Sequence, residues 1–200
     1  MGNKIFEILK FVFFILLLPV VVASTIGFVQ GLGALSKETI EFLLYGIVVY
    51  LFIHVFIYEP QPVYQYGQNL VTVIFRFFSP LVKVASFLFP IYTILLLIIS
   101  YFVGLIFKSK DLGNYFMFTI SATFTMHMVF TAKILRDKDS NIIKPNYFFA
   151  ISLIYVINIF ILAMMFNLIL GEFSFIKFFS TATTLAGNVY RAVFKQLFVP

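Results

Sequence analysis

The chain has 200 residues, of which 62% are hydrophobic and 11% charged, with a mean hydropathy of +1.06 and a formal net charge of +6. A soluble domain has about 25% charged residues to cover its surface, so this composition excludes an ordinary soluble fold. The absence of cysteine excludes disulfides, thiolate metal ligands and a cysteine nucleophile. Because the basic residues stand singly between apolar runs, they are typical of a membrane protein rather than of a nucleic-acid-binding protein.

The first two apolar segments are predicted to be membrane-spanning helices. A spanning helix needs about 20 mostly apolar residues, and residues 5–29 and 39–58 both have this length. The second segment ends at Glu59-Pro60-Gln61-Pro62, where two prolines stop a helix. Residues 63–83 contain glutamines, an asparagine, an arginine and a lysine, and we predict a re-entrant or interior helix there because hydrocarbon does not accommodate such side chains on a simple span.

Three further spans are predicted at residues 85–107, 115–135 and 146–170. The tail, residues 172–200, mixes Phe and Leu with basic residues and is predicted to be an amphipathic helix in the interface. The sequence therefore predicts an all-α integral membrane protein. Its single domain, residues 1–171, would be a polytopic bundle of five transmembrane helices, or six if residues 63–83 cross, followed by an interfacial C-terminal helix.

The distribution of basic residues predicts the orientation in the membrane. With five spans, eight basic residues fall on one side: Lys4, Lys10, Arg76, Lys83, Lys133, Arg136, Lys138 and Lys144. Lys37, Lys108 and Lys110 fall on the other side, together with the three basic residues of the tail. Since basic residues near short loops mark the cytoplasmic side, we predict a cytoplasmic N-terminus.

Two histidines, His54 and His127, lie within predicted spans. Ionisable groups at such positions are candidates for function, but no HExxH or Glu-x-x-His pair accompanies either one. A zinc site shared by the two would need at least a third protein ligand. We therefore expect both histidines to be hydrogen-bonded within the bundle, and the sequence predicts no catalytic residue, no metal and no cofactor.

A resemblance to a known family runs from about residue 44 to residue 170. Several segments occur in its order and spacing: Tyr50 with His54 and Pro60, Tyr64-Gln65-Tyr66-Gly67-Gln68-Asn69-Leu70-Val71-Thr72, Phe89-Pro90-Ile91-Tyr92-Thr93-Ile94-Leu95, Met126-His127 with Thr131, Leu135 and Arg136, and Asn158. Together they resemble small bacterial membrane proteins of the site-2-protease-type zinc metallopeptidase family. The resemblance implies a location in a bacterial inner membrane.

The chain departs from that family where the family binds zinc. Gln68, Asn69 and Thr72 stand at the positions of the family's His, Glu and His. Amides are poor zinc ligands and are not bases near neutral pH, and threonine cannot replace an imidazole. The resemblance therefore implies a degenerate, non-catalytic relative. The simplest role of the three residues is hydrogen bonding at a buried helix start, and a remodelled ligand pocket is the other.

Three functions are compatible with these patterns. The preferred one is a catalytically inactive, metallopeptidase-like structural or regulatory subunit of a membrane protein complex, whose partners are the lipid bilayer and other membrane subunits. The alternative is a small transporter or channel component with a polar path around His127 and Asn158. The third, an active intramembrane zinc protease, requires ligands that the sequence does not supply.

Overall fold

A computed structural model describes residues 2–76, 82–107, 110–138 and 145–198, and all regular structure in these ranges is helical. Part of the predicted segment 63–83, namely residues 77–81, lies outside them. In chain order the helices are α1 (Gly2–Leu32), α2 (Lys37–Phe52) with a π-helical turn (Ile53–Ile57), α3 (Gln61–Ile74), α4 (Val82–Leu88), α5 (Ile91–Phe107), α6 (Lys110–Lys138), α7 (Pro145–Leu170) and α8 (Phe175–Phe198). The predicted all-α fold is confirmed.

Four helical segments of the described chain are long and apolar enough to cross a bilayer: Ile5–Leu32, Lys37–Ile57, Leu112–Asp137 and Asn146–Leu170. They match four of the predicted spans, and the chain is an integral membrane protein. The span predicted at 85–107 is divided, since α4 ends at Leu88 and the apolar helix α5 begins at Ile91. The break has a local cause, because Pro90 removes a helical donor and disfavours helical geometry at the residue before it.

The chain divides into two compact units, one formed by residues 1–34 with 134–200 and the other by residues 35–133. In the first unit α1 runs parallel to α7, with the Lys10 ammonium donating to the Asn146 side-chain oxygen at 2.6 Å and the Thr25 hydroxyl 2.8 Å from that of Tyr155. Buried phenylalanines form the core of this unit, namely Phe166, Phe173 and Phe178.

The C-terminal helix α8 packs antiparallel along α1. Gly27 of α1 lies against the backbone of Phe178, and twelve residues further along α8 the Tyr190 hydroxyl donates to the Leu16 carbonyl. Gly171, with a φ of 62°, forms the turn between α7 and α8, a conformation that glycine adopts without steric cost. The predicted C-terminal helix is therefore present and lies on α1; its predicted position in the interface stays a prediction.

The second unit packs α3, α5 and α6 around buried Tyr64, Val71, Leu97 and Phe130. Its closest helix–helix approach is at Gly46 of α2. A methyl group there would collide with the Phe118 backbone carbonyl and the Ser121 hydroxyl of α6. Glycine allows this approach because it carries no side chain.

We expect Gly46→Ala to lower the stability of the protein, because the added methyl group meets backbone that cannot rotate away. Overpacking of this kind costs about 1–3 kcal/mol, measurable as a lower apparent Tm in detergent. Gly104→Ala is the matched control, since a methyl group there meets nothing within 4 Å, and alanine is favoured over glycine in a helix by up to about 1 kcal/mol. Equal Tm values for the two variants would contradict the close approach of α2 and α6.

Candidate functional site

The break between α4 and α5 leaves backbone carbonyls without helical donors. In a continuous helix the Ser86 carbonyl would accept from the N–H of residue 90, but Pro90 has none. The Phe87 carbonyl lies in the same last turn of α4, where carbonyls have no intrahelical partner. A carbonyl buried among helices needs a donor from elsewhere in the protein.

Gln68 and His127 supply those donors. The Gln68 side-chain nitrogen donates to the Ser86 carbonyl at 2.5 Å, and His127 Nε2 donates to the Phe87 carbonyl at 3.1 Å. Since a carbonyl only accepts, the His127 proton is on Nε2. Gln68 and His127, both identified in the sequence analysis, thus donate hydrogen bonds to neighbouring carbonyls at the end of α4.

The cavity beside these two side chains is small. It has a volume of about 10 Å³, and Tyr64, Gln68, Thr123 and His127 are among its lining residues. Tyr64 also holds α3 to α6, since its hydroxyl lies 3.1 Å from that of Thr131. A volume of this size has room for about one water molecule.

Asn69 and Thr72 are placed differently from Gln68. Both are exposed, whereas Tyr64, Gly67 and Val71 form the buried face of α3. The Thr72 hydroxyl donates to the Gln68 backbone carbonyl within its own helix at 2.9 Å. Of the three positions that the resemblance aligns with a zinc motif, Gln68 is hydrogen-bonded to another helix, whereas Asn69 and Thr72 are exposed on α3.

His54 belongs to a second polar cluster, which lies where the π-helical turn ends. His54 Nε2 is 3.8 Å from Glu59 Oε1, and the Lys133 ammonium donates to the same oxygen at 2.5 Å. The other ring nitrogen, Nδ1, lies 3.4 Å from the Tyr50 hydroxyl. The wide turn matters here, since π-helical turns are often found at functional sites.

Asn158, the third buried polar residue that the sequence singled out, lies in the other compact unit, on α7. Its side chain is fully buried and its amide nitrogen donates to the Ile154 carbonyl at 2.9 Å. Its side-chain oxygen has no hydrogen-bond partner in the described part of the protein. Asn158 and His127 therefore each have their contacts within their own unit.

Neither polar cluster of the second unit has the donor set of a zinc site. Within residues 2–76, 82–107, 110–138 and 145–198, no three His, Cys, Asp or Glu side chains come together. His54 and Glu59 could supply two ligands, but the Lys133 ammonium already neutralises the carboxylate. A tetrahedral zinc site needs at least three protein ligands.

Sequence reasoning missed the Glu59–Lys133 ion pair and the capping role of Gln68. The signal for the cap was present, since Pro90 within an apolar segment leaves the carbonyl four residues earlier without its donor. Glu59 and Lys133 are 74 positions apart, and no local pattern connects them.

Comparison with known proteins gives no match: no protein-family model, no curated protein and no solved structure matches this chain.

The cap on α4 generates a prediction about stability. Gln68→Leu should lower the free energy of unfolding by about 1–3 kcal/mol, because it removes the hydrogen bond that Gln68 donates to the Ser86 carbonyl. Thr72→Val is the control on the same helix, since that hydroxyl contacts only its own helix. The measurement is the apparent Tm in detergent, and a Gln68→Leu variant as stable as the control would show that the cap contributes nothing.

The Glu59–Lys133 ion pair should make stability depend on pH. The hydrogen bond from Lys133, helped by the charges of Lys133 and His54, holds the pKa of the Glu59 carboxyl below its ordinary value of 4.5. A lowered pKa in the folded state stabilises the protein above the ordinary pKa, and this contribution is lost as the pH falls through the lowered pKa. Lys133→Met should therefore lower the apparent Tm at pH 7, with the difference from the wild type shrinking below pH 4.5.

Lys37→Met is the matched control for that experiment. Lys37 pairs with Glu41 at 3.7 Å, but the two side chains are 92% and 45% exposed. Exposed pairs contribute at most about 1 kcal/mol, so this variant should show little change at any pH. A Tm difference for Lys133→Met that persists unchanged in acid would contradict the assignment to Glu59.

Proposed function

We propose that this integral membrane protein is a catalytically inactive relative of the site-2-protease-type metallopeptidases and serves as a structural or regulatory subunit of a membrane protein complex. The observation that carries the proposal is the outer face of α3. Its exposed residues include Gln65, Asn69 and Thr72, at helical positions i, i+4 and i+7, and exposed Arg76 follows in the turn after α3. They form a continuous polar stripe, which we call the α3 polar face.

Beyond the hydrogen bond of Thr72 within its own helix, the described residues give the α3 polar face no hydrogen-bond partner. Polar side chains at membrane depth must find hydrogen-bond partners, because hydrocarbon offers none. Helix–helix contacts in membranes use Ser, Thr, Asn and Gln for this purpose. A helix of another subunit packed on α3 would satisfy Asn69 and Thr72 and cover Arg76.

Gln68 supports the part of the proposal that describes the protein as catalytically inactive. Its amide donor is engaged by the Ser86 carbonyl, and neither an amide nor a threonine hydroxyl supplies the base that zinc hydrolysis requires. Zinc analysis of the purified chain bears on this directly. Near-stoichiometric zinc that is lost in His54→Ala or His127→Ala would overturn the proposal in favour of an active protease.

A transporter or channel component has less support. It needs a continuous polar path, whereas the cavity at His127 has a volume of about 10 Å³. The buried Asn158 oxygen without a partner is the one observation that favours it. The Asn158 amide nitrogen already donates to the Ile154 carbonyl, and His127 to the Phe87 carbonyl.

The subunit proposal predicts that the α3 polar face holds a partner. An Asn69→Leu/Thr72→Leu double variant should lose membrane proteins that co-purify with the wild type in mild detergent. Two interhelical hydrogen bonds of about 0.6–2 kcal/mol each are removed, which weakens association about tenfold or more. Folding should be unaffected, because the Thr72 hydroxyl contacts only its own helix and Asn69 is exposed.

Val73→Leu is the matched control. Val73 is exposed on the same helix and borders the α3 polar face, so the change alters apolar surface there without removing a polar group. Equal recovery of the partner with the double variant would contradict the proposal, and so would a wild-type protein that repeatedly emerges alone and monodisperse.

A further inference from the structure

A second cavity lies within the unit that contains α1, α7 and α8. It has a volume of about 390 Å³ and is open to the surface between the end of α1 and the start of α8. We call it the α1–α8 cavity. Its polar lining consists of Gln30, Glu172, Ser174, Lys177 and Thr181. Ligand cavities in proteins range from about 300 to 1,000 Å³, so its size suits a small polar group.

Three glycines keep this cavity open. Gly27, Gly31 and Gly33 line it from the α1 side beside Gln30, and these three positions add no side chain to the space. Gly27 and Gly31 also bring α8 and the preceding turn close, since a Cβ at Gly27 would lie 3.1 Å from the Phe178 carbonyl and one at Gly31 would meet the Phe173 ring. The cavity is therefore a consequence of how α1 and α8 pack.

The α1–α8 cavity lies where two membrane-spanning segments end. The spanning segment of α1 has 28 residues and ends at Leu32, and that of α7 ends at Leu170, two residues before Glu172. Twenty-eight residues make about 42 Å of helix, which is close to the thickness of a bilayer with its headgroups included, about 40–45 Å. These lengths favour a position of the cavity at the level of the headgroups.

Glu172 and Lys177 bring one negative and one positive charge to this cavity. Within the described residues, neither the Glu172 carboxylate nor the Lys177 ammonium has a salt-bridge partner. The two charges are carried by the turn before α8 and by its first turn. Ser174 and the positive end of the α8 dipole lie beside Lys177, and both favour an anionic oxygen.

We propose that the α1–α8 cavity binds the zwitterionic headgroup of an amine-bearing phospholipid, that is, a phosphoethanolamine group. Lys177, Ser174 and Thr181 bind the phosphate oxygens, and Glu172 accepts hydrogen bonds from the primary ammonium. Gln30 can serve either group, since its amide both donates and accepts. One cation and one anion in the cavity match a ligand that carries one charge of each sign.

The test is native mass spectrometry of the full chain in detergent with equimolar phosphatidylethanolamine, phosphatidylcholine and phosphatidylglycerol. A choline headgroup has no N–H to donate and a glycerol headgroup has no positive charge. Loss of one charge-assisted hydrogen bond weakens binding about tenfold. The wild type should therefore retain phosphatidylethanolamine about tenfold better than either competitor.

Three variants identify the residues responsible. Glu172→Gln should abolish the preference for ethanolamine over choline, and Lys177→Gln should weaken binding of both lipids about tenfold. Lys195→Gln is the matched control, since Lys195 lies on the same helix but outside the α1–α8 cavity. All three side chains are exposed, so the variants should fold, which circular dichroism checks.

Three outcomes would overturn the proposal. The first is equal binding of the three lipids by the wild type, and the second is the same loss of binding in Lys195→Gln as in Lys177→Gln. The third is full displacement of the lipid by soluble phosphoethanolamine at equal concentration, which would mean that the ligand does not come from the membrane. Retention of lipid against the soluble headgroup supports the membrane source.

Discussion

Hydrocarbon offers no hydrogen-bond partner, and this constraint accounts for the placement of most polar residues in the chain. The helices satisfy their own backbone, except where proline interrupts them. At the α4–α5 break the Ser86 and Phe87 carbonyls take their donors from Gln68 on α3 and His127 on α6. Three helical segments are thereby tied together at one interrupted turn, and the packing of α3 depends on that turn.

This arrangement gives Gln68 a structural role that is independent of any metal. A metal-binding imidazole commonly uses one nitrogen for the metal and donates the other N–H to a carbonyl or carboxylate. Glutamine at 68 donates to a carbonyl and lacks the basic nitrogen that would bind zinc. The Gln68 side chain therefore ties α3 to the end of α4 through this hydrogen bond.

Features of the fold that are encoded locally could be predicted from the sequence, whereas those that depend on long-range packing could not. The four long spans were predicted because each is a continuous apolar run, which needs no knowledge of tertiary structure. The break at Pro90 was locally encoded, but the length of the apolar run from 85 to 107 outweighed it in the prediction. The Glu59–Lys133 pair was not predictable, because it depends on how the π-helical turn positions Glu59 relative to α6.

The same limit applies to the two outward-facing features. The sequence showed that residues 63–83 are too polar for a simple span, but only the packing of Tyr64, Gly67 and Val71 identifies which face of α3 is turned outward. Likewise, Glu172 and Lys177 both follow a turn at Gly171 that returns the chain onto α1, so the α1–α8 cavity depends on packing that the sequence pattern does not show.

The polar residues of this chain thus fall into two groups with different consequences. Three residues have hydrogen-bond partners within the chain, namely Gln68, His127 and Tyr64. Their hydrogen bonds contribute to the fold and require no ligand. Asn69 and Lys177 contribute nothing comparable to the packing of the protein, since both are exposed. A polar side chain that a membrane protein holds on its outer surface without an internal partner must be satisfied by water, a lipid headgroup or another protein.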